Sequence, residues 1–456
     1  MSKFAPPVNR EMKVLDKLFF DKQVPLVVVK FTDSKHIASF NKRCKKDVLT
    51  VPYVKHIVYL ENGIKGVLLR DDIDSVEGYQ DKLNEDTVAA IKEYGAQVEP
   101  YQLKLTYDFW KADDILKAVI PEELQDELPT GFAQAGHLAH FNLKREFKPY
   151  GELIGQIILD KNPKVETVVD KLDSIDTKFR TFEMKVLAGR PDMMVEQQEC
   201  GCKFKFDFSK VYWNSRLNTE HERLVKEFPA GEVVADVFAG VGPFAVPAGK
   251  KRALVLANDL NPESFKYLKE NIELNKVGDV VKPFELDGRE FIKKSPQLLL
   301  DWASKDQVIE RSKVVKRRKL DPITNENITV KETSITRTTV PKYISQYVMN
   351  LPASALEFLN EFIGLYSQVE DTVKADSHFK LPIINVHCFE KYSRDEVPEP
   401  SMDQLERRVH KRICTIMEYP IAFEECHFHV VRYVAPTKPM FCVSFVLPEA
   451  VAFKKS

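Results

Sequence analysis

Four apolar runs in the second half of the chain each lead to polar side chains suited to a nucleotide-like ligand. VVAD ends on Asp236, before Phe238-Ala239-Gly240-Val241-Gly242. LVLAND ends on Asp259 and continues into Leu260-Asn261-Pro262, KPFEL leads to Asp287-Gly288, and YVM leads to Asn350-Leu351-Pro352. In a parallel α/β sheet, ligands bind beyond the carboxyl ends of the strands. Gly240 and Gly242 would permit close backbone approach there. Asp236 beside the glycine turn would repel a pyrophosphate and attract an ammonium group. Asp259 can accept from both hydroxyls of a ribose, and Asp287 from the exocyclic amine of an adenine. Taken singly, these residues are as well explained by packing, a helix cap or a turn. Together, and in this order, they fit S-adenosylmethionine, and the lack of a full GxGxxG weighs against a dinucleotide.

Asn350 followed by Pro352 puts a carboxamide and a rigid turn at the sheet edge. Methyltransferases acting on exocyclic amines carry a similar Asn/Asp-Pro-Pro turn with an aromatic next, whereas Ala353 follows here. The departure favours a ring nitrogen as acceptor.

These residues need a scaffold of alternating strands and helices. After Glu220, LVLAND followed by PESFKYLKENIELNKV has that alternation, which predicts a parallel sheet, closed by the hairpin HFHVVRYVAPTKPMFCVSFVL. Upstream, PLVVVKF and KGVLLR suggest a small α+β unit. Ile115, Leu116, Val119 and Ile120 at helical spacing open a second one, followed by the strand-like GHLAHFNL and IGQIILDKN. Phe204, Phe206 and Phe208 alternate with polar residues after a turn at Gly201. The expected division is therefore 1–105, 106–200 and 201–456, with a solvated insertion loop at about 301–341. In that insertion, RSKVVKRRKL and the Thr-rich stretch after it show neither period.

The net charge of −1 gives no support to a nucleic-acid partner, but it is unevenly spread. Residues 1–60 carry 12 Lys/Arg against 5 Asp/Glu, and residues 305–342 carry 10 against 5, so local basic surfaces remain available. The seven cysteines show no CxxC pair and are expected to be reduced and structural, with no metal site. No stretch reaches the roughly 20 apolar residues of a membrane span, and MSKFAPPVNR lacks a secretory core. An intracellular protein is expected.

TKFRTFEMKVLAGR, KVYWNSRLNTEHERL and NLPASALEFL, with PTGFAQAGHLAHFNL, DVFAGVGPFAVPAGKK, DLNPES, HCFEKY and VAPTKPM, resemble the eukaryotic and archaeal tRNA (guanine-N1)-methyltransferases over nearly the whole chain. These enzymes modify the guanosine just 3′ of the anticodon, position 37. The resemblance implies an α/β class I Rossmann-like S-adenosylmethionine-dependent methyltransferase domain preceded by two smaller α+β RNA-binding domains. It implies a tRNA partner, held at its outer corner by the first module and at its anticodon stem-loop by the others. A monomer without membrane attachment, working in cytoplasm and nucleus and also in the mitochondrial matrix, is expected.

By the same resemblance, Glu220 is the general base that takes the N1 proton, Arg180 stabilises the charge that develops on O6, and Arg216 positions Glu220. Asn350 fixes both cofactor and base, and His221 touches the cofactor. The cofactor set is His221, Asp236, Phe238, Gly240, Gly242, Asp259, Leu260, Asn261, Asp287, Gly288, Asn350 and Pro352. N1 of guanine becomes nucleophilic only as its proton leaves, so a carboxylate near N1 and a guanidinium near O6 meet the two demands. The flipped base would enter a pocket lined by Tyr212, while core packing is the safer reading for Trp213. Two alternatives remain: transfer of an aminocarboxypropyl group from the same donor during wybutosine formation, and a tRNA-binding protein without catalysis.

Overall fold

The computed structural model describes residues 2–175, 182–320 and 327–455, and these divide into two compact units. The first comprises Met1–Phe132, Ala139–Lys171 and Lys185–Pro191; the second comprises Ala133–Leu138, Leu172–Met184 and Asp192–Ser456.

The first unit is built on an antiparallel sheet in the order Ile57–Tyr59, Lys65–Leu68, Lys22–Phe31, Gln97–Leu105. Its long strand is buried on both faces, which explains the unbroken apolar run PLVVVKF. Val27, Val29 and Phe31 pack with Ile37 and Phe40 of helix His36–Arg43 and with Ala90 and Ile91 of helix Glu85–Glu93. Val24, Leu26 and Val28 point the other way. Their cluster runs on without interruption through Trp110, Ile115, Leu116 and Val119 to Ile154, Ile157 and Leu187. The expected boundary at 105/106 therefore cuts through one continuous core, and the division found is two units in place of three modules.

IGQIILDKN, expected to be a strand, forms the end of the helix Gly151–Lys161, with Asn162 as its C-terminal cap. Its isoleucines favour strands by propensity, but Leu153, Ile154, Ile157 and Ile158 fall on one helical face and all are buried. Gly155 makes the packing possible, because a Cβ there would come within 2.6 Å of the Leu187 Cβ.

The second unit holds a seven-stranded sheet whose strands are β1 (Val233–Asp236), β2 (Leu254–Asn258), β3 (Val281–Phe284), β4 (Gln346–Met349), β5 (Ile383–Phe389), β6 (His427–Ala435) and β7 (Lys438–Val446). Their order is β3-β2-β1-β4-β5-β7-β6. Neighbours from β3 to β5 are parallel, and the closing hairpin β6–β7 is antiparallel. Every residue of β1, β2 and β4 is buried, as a doubly covered parallel sheet requires. The helices that matter for the site are α1 (Asn218–Glu227), α2 (Ala245–Lys250), α3 (Pro262–Leu274), α4 (Gly288–Lys305) and α5 (Met402–Met417). The Rossmann-like reading of this half holds.

A hairpin, Met194–Glu199 with Cys202–Asp207, precedes the sheet. Cys200 and Gly201 turn it, both with positive φ, the combination a tight hairpin needs. Asn271 of α3 and Asn275 at its C-terminal cap tie it down: their Oδ1 atoms accept from the N–H groups of Lys205 and Lys203 at 2.8 and 3.0 Å. Trp213 packs on Phe204 and Phe206 at ring-centroid distances of 5.6 and 4.9 Å, the core role preferred for it.

The segment read as an insertion loop is instead a two-stranded antiparallel ribbon. Val308–Leu320 pairs with Asn327–Thr339 without a break in register. Its Val, Ile and Thr content favours extended backbone, but charges interrupt the alternation that would have revealed the strands.

Candidate active site

The strands β1, β2, β3 and β4 end around one cavity of 310 Å³. Among the expected residues, Phe238, Gly240, Asp259, Leu260, Asn261, Asp287, Gly288, Asn350 and Pro352 line it, and Tyr212 joins them. The geometry follows from a few hydrogen bonds. Asp259 accepts from the Gly240 N–H at 2.8 Å and from the Asn261 N–H at 2.9 Å, so the carboxylate fixes the glycine turn and the start of α3 together. Asn261 caps α3 by accepting from the Glu263 N–H, with Pro262 in the first turn. Asp287 caps α4 in the same way, through the Arg289 N–H.

Sequence reading missed Asn258, which is 1% exposed and also lines the cavity. Its Nδ2 donates to the carbonyls of Val237 and Leu286, and its Oδ1 accepts from the Leu286 N–H. One side chain thus holds the exits of β1 and β3 at the end of β2. An asparagine closing an apolar strand was the available signal. Ser264, Leu351, Ser354 and Phe358 complete the wall. Phe358 meets Phe238 edge to face at 5.0 Å, and only a glycine at 288 fits beneath them, since a Cβ would lie 2.8 Å from Phe238.

Two acceptor groups in this region are poorly satisfied. Among the described residues, neither carboxylate oxygen of the buried Asp236 nor Oδ1 of Asn350 has a well-formed hydrogen-bond donor, although the Phe238 N–H is near enough to Asp236 to favour its charge slightly. Burial, seconded by the Asp259 charge, pushes the Asp236 carboxyl up to about 8. Burial likewise raises Asp259 to about 6. A buried acceptor without a donor is costly, and a ligand bringing ammonium or hydroxyl donors removes that cost.

Asp236 itself is fully buried and does not line the cavity wall, and neither does Gly242. The glycine at 242 is required by packing: at φ +99°, a Cβ there would meet Val246 of α2 at 2.7 Å and Leu268 of α3 at 3.0 Å.

The residues expected to act on the methyl acceptor are arranged differently from expectation. Glu220, 2% exposed, is held by three partners. Arg223 grips it with two bonds of 2.7 and 2.8 Å, His387 Nε2 lies 2.8 Å from Oε1, and His429 Nε2 lies 3.5 Å from Oε2. Burial opposes its charge, but Arg223 and His387 prevail and hold it down to about 2. It does not line the cavity. Arg216 is exposed and makes no side-chain bond to Glu220; Arg223, three residues along the same helix, occupies that role. His221 is buried, bonded to Glu199 and packed edge-on against Phe244, away from the cavity wall. Arg180 lies outside the described residues.

The TRM5/TYW2 methyltransferase domain model matches residues 195–309, and the TYW2 N-terminal domain model matches residues 112–192. The tRNA (guanine(37)-N(1))-methyltransferase of Candida albicans (strain SC5314) is 55% identical over 456 residues, covering 100% of both chains. The Saccharomyces cerevisiae protein of the same name is 49% identical, over 98% of this chain and 95% of its own. Among solved structures, Trm5b from Pyrococcus abyssi superposes with a TM-score of 0.56 at 25% identity, covering 92% of this chain and 98% of that one. With full-length relatives this similar, the chain belongs to the tRNA (guanine(37)-N(1))-methyltransferase family.

Proposed function

We propose that this chain transfers a methyl group from S-adenosylmethionine to N1 of guanosine 37 of tRNA. The observation that carries the reading is the convergence of four strand ends on one cavity, in a chain 55% identical over its full length to an enzyme of that name. The residues present fit the donor. The Asp259 carboxylate can take ribose hydroxyls, Asp287 can take an adenine amine, and the unpartnered Oδ1 of Asn350 calls for a donor such as an ammonium. S-adenosylmethionine supplies an electrophilic methyl group, and no metal is required.

The chain's own task is to hold guanine and remove its N1 proton. In this reading Glu220 takes that proton, Arg180 faces O6, and Asn350 bridges donor and acceptor. A carboxylate held at about 2 is a weak base. Proton transfer therefore requires Arg223 or His387 to release it first, which couples entry of the base to opening of that ion cluster. The tRNA is gripped at its outer corner and anticodon stem-loop by a monomer in the cytoplasm, nucleus and mitochondrial matrix.

The test is incubation of the purified chain with unmodified tRNA transcripts carrying guanosine or adenosine at position 37, followed by mass spectrometry of the digest. Methylguanosine at 37, and no product with adenosine, is expected. An aminocarboxypropyl adduct, or no product despite donor binding, overturns the reading.

A further inference from the structure

Arg216 and Arg432 have no carboxylate partner among the described residues, where most other arginines of this unit are paired. Arg216 stands in the 3₁₀ turn just before α1. That turn is tied to the cavity wall: the Arg216 N–H donates to Asn214 Oδ1 at 3.2 Å, and Asn214 Nδ2 lies 3.5 Å from the hydroxyl of Tyr212. Tyr212 lines the cavity and is 48% exposed.

Arg432 comes from the other side. It lies on β6, the edge strand of the sheet, where the register with β7 slips between Val430 and Arg432. Such a bulge re-aims the side chain that follows it. The strand is anchored beside α1 by His429, three residues earlier, at 3.5 Å from Glu220. Burial lowers the pKa of Arg432, the like charge of Arg216 lowers it further, and the Tyr212 phenol acts in the opposite sense. His429 and Arg432 pair with Cys442 and Met440, alternate residues of β7, so both side chains leave the same face of the sheet, the one that meets α1 just after Arg216. Two guanidiniums so placed repel each other, and an anion between them would relieve the repulsion. Arginine forks match phosphate oxygens in geometry.

We propose that Arg216 and Arg432 form a clamp for a backbone phosphodiester next to the nucleotide that enters beside Tyr212. The inference rests on the proposed action on tRNA. A phosphodiester is favoured over the carboxylate of the methyl donor because Arg216, Tyr212 and the adjoining Tyr433 and Val434 are all exposed, as a macromolecular contact requires.

The test uses the full chain and its R432A, R216A and R432K variants, with tRNA transcript and S-adenosylmethionine as separate probes. R432A and R216A should each weaken tRNA binding and flatten the plot of log affinity against log salt by about 0.7, the value for one single-strand phosphate contact. Their affinity for S-adenosylmethionine should stay at the wild-type value, and R432K should retain part of the tRNA affinity. A transcript with an uncharged methylphosphonate beside position 37 should bind wild type and R432A alike. An unchanged salt slope in R432A overturns the clamp. So does a loss of donor affinity with tRNA binding intact, which would assign the pair to the donor's carboxylate. R216A, melting as wild type does, keeps the test valid if R432A misfolds. Failure of the wild type to methylate, with the slope change present, would sink the proposed reaction and leave the clamp standing.

Discussion

Oε1 of Glu220 lies 2.8 Å from Nε2 of His387, and both side chains are buried, 167 residues apart in sequence. The bond joins α1 to β5. Burial opposes the imidazolium, but the Cys442 sulfur and the Glu220 carboxylate outweigh it and raise His387 to about 10. With Glu220 down at about 2, the pair stays charged across the physiological range. Removing one member leaves the other charge buried and alone, so the contact stabilises the fold as well as setting the basicity of the proposed base.

The stability it confers depends on pH in a defined direction. A carboxylate lowered from 4.5 contributes fully above that value and loses its contribution as pH falls toward about 2. An imidazole raised from 6.5 contributes fully below that value and loses its contribution as pH rises toward about 10. The window of full effect is therefore pH 4.5 to 6.5. Urea unfolding at pH 6 and pH 9 should show wild type losing stability at the higher pH, and His387→Gln losing much less over the same interval. At pH 6 the variant should be weaker than wild type by about 3–5 kcal/mol. Parallel pH dependence in the two proteins would refute the assignment.

Asp259→Asn should weaken S-adenosylmethionine binding about tenfold or more. An amide offers one acceptor oxygen where the carboxylate satisfies the N–H groups of both Gly240 and Asn261, so one buried donor loses about 1–3 kcal/mol. Since burial puts Asp259 at about 6, wild-type donor affinity should fall as pH drops through that value, because only the ionised form accepts from both ribose hydroxyls. Calorimetric titration from pH 8 to pH 5 checks both points, and a flat profile in wild type contradicts the role.

Gly288→Ala should cost donor affinity while sparing the fold. The added methyl would sit 2.8 Å from Phe238 and 3.1 Å from Phe358, forcing apart the edge-to-face pair on the cavity wall. Circular dichroism should be unchanged, and the dissociation constant for S-adenosylmethionine should rise at least several-fold. Wild-type affinity in this variant would show that the aromatic pair yields freely.

How much of this was legible beforehand depended on where the partners lie. Asp259, Asp287 and Asn350 were readable because the strands of a parallel sheet appear as apolar runs, and polar residues just past the ends of those runs mark the ligand edge. The partners of Glu220 were not. Arg223 is three residues away, but nothing in sequence separates it from Arg216, and His387 and His429 are brought in by strands far along the chain. The helix at IGQIILDKN escaped because isoleucine propensity and a short window favour a strand, and the Leu187 contact that decides the matter is non-local. The pair of strands Val308–Leu320 and Asn327–Thr339 escaped because its pairing is cross-strand and its charges hide the alternation.

Asn350 separates stability from turnover. Its Oδ1 is buried and has no partner among the described residues, so Asn350→Ala removes no hydrogen bond seen at that oxygen and takes away an unsatisfied polar atom. Thermal unfolding should change by less than about 1 kcal/mol, since the usual penalty of a lost buried bond is absent at this atom. Turnover on tRNA should nonetheless fall by about two orders of magnitude, the cost of losing one well-placed polar group at the reacting centre. The donor's dissociation constant should move much less than kcat. Comparing the melting curve, the donor titration and single-turnover kinetics of this one variant therefore tests the assignment of the carboxamide at the end of β4. A large stability loss with unchanged single-turnover rate would make Asn350 a structural residue.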